Sequence, residues 1–137
     1  MSAEEKKLDM EGVAQDAAEA ERVAEEAKQE QETGSYTHTF KNPFPWKGKT
    51  YETLTFDWTA LNGGDHLEIE SEIVMKGRTL VSPAFTGDFL AGMAARACTE
   101  RDEKGKRVID GWAIKEMPLT DFQAITRKAR VFLLRAE

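Results

Sequence analysis

Few side chains in this chain have the type and spacing that chemistry needs. The two histidines, His38 and His66, stand in separate segments. Neither has a second histidine or a cysteine at metal-ligand spacing, so no zinc site is expected and both read as surface or half-buried residues. The single cysteine, Cys98, sits among Ala94, Ala95 and Ala97. A thiol nucleophile needs a base beside it, and none is indicated, so Cys98 reads as a small core residue. Asp65, Glu68 and Glu72 share one face if their segment is helical. Clustered there, they can bind a divalent cation or act as acid and base, although an exposed acidic face is far commoner. No glycine-rich phosphate cradle is present, and Gly63-Gly64-Asp65-His66 is explained by a turn. No catalytic, metal-binding or cofactor-binding residue is assigned, and no cofactor is expected. A small enzyme using Cys98 or the Asp65, Glu68 and Glu72 carboxylates stands only as an alternative.

These residues depend on elements that the sequence outlines. Tyr36, Thr37, Thr39 and Phe40 favour a strand, as do Tyr51, Thr53, Leu54, Thr55 and Phe56. Between them Asn42 to Lys49 holds two prolines and a glycine, which predicts a β-hairpin with a long connection. Phe44 and Trp46 lie in that connection, either as exposed binding aromatics or as a lid over the core. Asp57 or Thr59 can cap a short turn carrying Trp58 and Leu61. Residues 65–76 fit both alternation and helical spacing, and the reading leans to helix, with Gly77 past its end. Ser82-Pro83 predicts a helix start, followed by a stripe of Phe85, Phe89, Leu90, Met93, Ala94 and Ala97. Gly87 and Gly92 weaken that helix by ~1 kcal/mol each relative to alanine, and they can permit close approach of another backbone or simply tight packing within the domain. Val108, Ile109, Trp112 and Ile114 read as a short extended cover. In the last helix Thr120 is the expected cap and Gln123 completes a capping box, with Phe122, Ile125, Ala129, Phe132 and Leu133 on one apolar face.

Composition divides the chain. No aromatic residue precedes Tyr36. Residues 1–35 hold 11 acidic and 4 basic side chains, whereas residues 36–137 hold 14 and 15. The first segment is rich in Ala, Glu and Lys with few large apolar residues, so a disordered or transiently helical acidic arm is expected over 1–35, with Gly34 and Ser35 as a hinge. The core-forming domain is then 36–137. A nearly neutral domain behind an acidic arm argues against nucleic acid and against anionic membranes. Met1 to Met10 lacks the apolar stretch of a signal peptide, and no apolar run approaches the ~20 residues of a membrane span. A cytoplasmic protein is the simplest expectation. The fold class expected is α+β: an N-terminal β-hairpin followed by a small bundle of three to four helices.

One resemblance covers about residues 36–135. Its carrying stretches are Phe40-Lys41-Asn42-Pro43, Lys47-Gly48-Lys49-Thr50-Tyr51, Leu54-Thr55-Phe56-Asp57-Trp58 and Leu61-Asn62-Gly63-Gly64-Asp65. They continue with Pro83-Ala84-Phe85-Thr86-Gly87, Met93-Ala94-Ala95-Arg96-Ala97, Leu119-Thr120-Asp121-Phe122 and Val131-Phe132-Leu133-Leu134. In order and type they resemble the phage tail assembly chaperone family of Mu-like and other long-tailed phages. The resemblance implies a small helical domain with a β-hairpin, no catalytic residues, and a non-enzymatic role. It implies binding of the tape measure protein during tail assembly in the host cytoplasm, and absence from the mature virion. A chaperone of this kind needs accessible apolar surface framed by charge. Candidate partner-binding residues are Phe44, Trp46, Phe89, Met93 and Phe132, of which the last three fit a plain core equally well. Self-association is left open. A structural tail protein or another interaction adaptor is the alternative.

Overall fold

The computed structural model describes residues 18, 20–22 and 34–135. The expectation for the acidic arm therefore lies almost wholly outside the described residues. From Gly34 onward the chain forms one compact unit. It is α+β, as its alternation and periodicity predict: a two-stranded antiparallel hairpin, then four helices.

The hairpin comprises β1 (Ser35–Trp46) and β2 (Lys49–Asp57). The prolines do not end β1, contrary to the long connection expected. Pro45 pairs with Thr50 and Trp46 with Lys49, leaving only Lys47 and Gly48 in the turn. Their φ angles of 48° and 79° are both positive, which gives the turn whose twist matches paired strands. Proline is tolerated in an edge strand where its missing N–H is not needed for the ladder. The irregularity is upstream. Between the pairs Thr39–Thr53 and Phe44–Tyr51, residues 40–43 bulge opposite Glu52 alone. Phe40 and Phe44, four apart, keep the inward face across the bulge and stack, ring centroids 5.5 Å apart.

Four helices follow the hairpin. They are α1 (Gly63–Met75), α2 (Gly87–Ala97), α3 (Gly111–Glu116) and α4 (Leu119–Arg135). Residues 65–76 are thus helical up to Met75, as the reading leaned. Asn62 and Asp65 close a reciprocal capping box at its start. Asp57 caps the short turn Trp58–Ala60 by accepting from the Thr59 N–H. Helix α2 is central, packed against α1, α3, α4 and β2. Seven of its residues are buried, which explains its alanine content: small side chains let several elements approach one helix.

Three expected boundaries move. Ser82-Pro83 opens only a single 3-10 turn, Pro83–Phe85. Thr86 then turns extended and α2 begins at Gly87, which swings Phe85 out of the stripe to 67% exposure. The segment around Trp112 is helix α3 rather than extended, because the Asp110 side chain accepts from the Ala113 N–H at 2.9 Å and nucleates a turn. Thr120 does not cap α4. Met117 is held extended before Pro118, and the Pro118 carbonyl already takes the first helical bond, from the Phe122 N–H.

Candidate partner-binding surface

The residues with catalytic potential are occupied by structural tasks. Asp65, Glu68 and Glu72 do lie on one face of α1, but Arg96 of α2 reaches all three. Its guanidinium stands 2.9 Å from Asp65, 2.6 Å from Glu68 and 3.3 Å from Glu72. A cation held there already fills the position a metal would take. Among the described residues no group of three or more His, Cys, Asp or Glu side chains is placed to hold a metal ion. Cys98 is 1% exposed at the end of α2, and burial pushes its thiol up, away from the reactive thiolate.

His38 departs from the half-exposed placement expected. It is buried, and its Nε2 lies 2.7 Å from Asp121 Oδ1 on α4, while the Tyr36 hydroxyl lies 2.7 Å from Nδ1. A carboxylate only accepts, so Nε2 carries a hydrogen, and the neutral tautomer leaves Nδ1 to accept from Tyr36. Both ring nitrogens of His38 are thereby used, one of them in tying β1 to α4. Its enclosure leaves no adjoining space for a substrate among the cavities described.

The five expected partner-binding residues fall into two places. Phe89, Met93 and Phe132 come together around a small pocket of about 100 Å³, with Leu61, Ile69 and Leu133 completing the apolar lining and Asn62, Asp65 and His66 beside them. Phe89 and Met93 are themselves buried, at 1% and 4% exposure, so they offer a partner no free face; Phe132 is half-buried. They are core residues, because the α2 stripe faces α1 and α4 at once. Phe44 and Trp46 lie apart from them, on the wall of a second concavity. Phe44 is also core, at 5% exposure, so the lid reading holds for it. Trp46 is half-buried, and its indole N–H donates to the Val108 carbonyl at 3.2 Å.

This second concavity is an open groove of about 520 Å³, lined by Asn42, Pro43, Phe44, Pro45, Trp46, Trp112, Glu116 and Pro118. One wall is the proline-bearing end of β1, and the other is α3 with Pro118 beyond it. The Trp46 hydrogen bond to Val108 pins the first wall to the segment that leads into the second. Trp112, 66% exposed, was missed from the partner set. The signal was present in the sequence: an Asp110 cap with Ile109, Ala113 and Ile114 inward leaves Trp112 outward on a rigid turn. Its ring has the Lys76 and Lys115 amines 6.0 Å and 5.7 Å from the centroid.

Exposed apolar residues continue elsewhere, with Leu67, Val74 and Met75 on α1 and Val131 and Leu134 on α4. By contrast the interior is polar-satisfied, and among the described residues no buried side-chain nitrogen or oxygen lacks a partner. No described helix is long and apolar enough to cross a membrane. The chain matches no family of known proteins, no curated protein and no solved structure.

Proposed function

We propose that this chain is a phage tail assembly chaperone that binds the tape measure protein and keeps it soluble in the host cytoplasm until the tail is built. The observation that carries the reading is the open groove with Trp112 exposed on its wall. Trp112 is 66% exposed beside three prolines and a second tryptophan. Exposed apolar surface rimmed by charge is what a holder of aggregation-prone helices requires. Some of the stretches that carry the family resemblance fall at a turn or a helix start of the domain, and others lie within its elements. Lys47-Gly48 forms the hairpin turn, Asn62 and Asp65 cap α1, and Met93–Ala97 lies in the central helix.

The occupied state of Asp65, Glu68, Glu72 and Cys98 supports a binding role over an enzymatic one. Removal of the gene from its phage or prophage should abolish complete tails, and the chain should be missing from purified particles by mass spectrometry. Stoichiometric recovery in mature particles would make it a structural tail component instead.

A further inference from the structure

Another face of the domain carries charge that its own carboxylates leave unmatched. An open concavity of about 560 Å³ lies between the hairpin turn and the loop that follows α2. Lys47 and Lys49 enter its lining from the turn and the start of β2, and Arg101, Lys104 and Lys106 enter from the loop. Only Asp102 and Glu103 oppose these five cations in the lining. We propose that this concavity binds a short acidic segment of a partner protein, with Asp and Glu side chains set among the cations. The inference goes beyond the chaperone reading and does not need it, because none of these residues lines the Trp112 groove.

The charge is exposed and held in place. All five cations are exposed, and among the described residues none forms an ion pair with a carboxylate. Elsewhere cations are matched: Arg96 meets Asp65, Glu68 and Glu72, while Arg78 and Lys115 share Asp88. Asp102 is committed to its own loop. Its Oδ1 accepts from the backbone N–H groups of Lys104 and Lys106, at 2.8 and 2.9 Å. The Asp102 N–H in turn donates to the Lys106 carbonyl at 2.9 Å, and Gly105 takes the positive φ of 79° that the turn requires. Arg101 directs Nη1 to the Cys98 and Glu100 carbonyls, which anchors its charge. Backbone geometry thus fixes where the loop cations emerge, as the Lys47-Gly48 turn does on the hairpin. Like charges at fixed positions repel one another, and an anion laid between them relieves that repulsion.

The lining selects protein carboxylates over nucleic acid. Its one aromatic ring, Tyr51, is 5% exposed with the Lys49 amine 5.4 Å from the centroid, so it offers no face on which a base can stack. The positive charge is also local. The whole chain is −6, and a long polyanion running past the concavity would meet that negative surplus. A short acidic segment can be matched within the concavity. Lysines, as point charges on flexible stems, do not demand one carboxylate geometry.

The test titrates capped hexaglutamate into the full chain and follows backbone amide shifts by NMR. The ionic strength is held at about 0.15 M, where exposed charges more than ~8 Å apart are largely screened. Saturable shifts are expected, largest over residues 47–51 and 101–107. Lys104→Glu combined with Lys106→Glu should raise the dissociation constant at least about tenfold. Lys47→Gln combined with Lys49→Gln should raise it severalfold from a separate element. Lys41→Glu combined with Arg127→Glu changes net charge at exposed residues outside the lining and should leave it within about twofold. Absence of saturable binding to wild type, shifts centred elsewhere, or an equal loss in the two glutamate variants overturns the proposal. A single-stranded oligothymidylate of equal charge that binds more tightly through the same lysines gives the surface to nucleic acid and overturns it too. So do dimers of the chain that dissociate when Lys104 and Lys106 are replaced, since they assign the concavity to a second copy.

Discussion

The contact between His38 and Asp121 joins β1 to α4 across 83 positions of sequence, with both side chains almost closed off from water. Replacing Asp121 with alanine strands the Nε2 hydrogen in the interior. The expected loss is about 1–3 kcal/mol of stability, read as an earlier midpoint in urea; an unchanged midpoint would show the pair to be idle. Burial of His38 was partly legible, since Tyr36, His38 and Phe40 alternate along one face of a strand. Its partner was not, because nothing local in a sequence marks which distant carboxylate a buried imidazole meets. A second residue-scale expectation concerns acid. A hydrogen bond from the Asn62 backbone holds the Asp65 carboxyl below the usual range against its burial, and Arg96 adds to this. For Asp88 burial acts upward but is outweighed by hydrogen bonds from Arg78 and Lys115. Groups lowered in the folded state stabilise it fully above their unfolded pKa of about 4 and lose that contribution as pH falls through their lower folded values. Urea midpoints should therefore drop below about pH 4, and less steeply in Asp65→Asn. A variant as acid-sensitive as wild type would remove Asp65 from the account.

Between elements, α1 approaches α2 closely at Gly92. A Cβ there would lie 2.9 Å from Ile69 Cγ2, on a branched side chain with little freedom to move. Gly92→Ala gains ~1 kcal/mol of helix propensity but forces overpacking that typically costs about 1–3 kcal/mol. A net fall in melting temperature is expected, and a rise would mean that α1 yields. Of the two glycines expected to admit another backbone, Gly92 meets the Ile69 side chain instead, and a Cβ at Gly87 would meet open space. The hairpin and the last helix were also legible, since alternation and an apolar stripe at helical spacing each mark one element type. The turn was not. Two prolines outweighed Lys47-Gly48 in the reading, yet in a two-stranded sheet both strands are edges and proline is admissible. Helix α3 was hidden by its length, for six residues cannot display a period, and only the Asp110 cap announced it. The groove was lost with these two elements, because they form its walls.

At the scale of the whole molecule, an acidic segment precedes in sequence a domain with its own buried cluster among the described residues. The core cluster runs from Phe40 to Ala129. Removal of residues 1–33 should leave cooperative unfolding with an unchanged midpoint, followed by circular dichroism in urea. Loss of cooperativity would make the arm part of the fold. Keeping the arm while losing the groove should have the opposite effect, sparing charge and solubility but not partner binding. That division follows from chemistry, since an arm poor in large apolar residues offers little apolar surface to grip a partner, whereas the exposed Trp112 offers a large one. Coexpression of the full chain with the tape measure protein of the same genome, followed by size-exclusion chromatography, tests the central claim most directly. The account predicts that the tape measure protein becomes soluble and coelutes with the chain. A tape measure protein that stays insoluble while this chain elutes alone would contradict it.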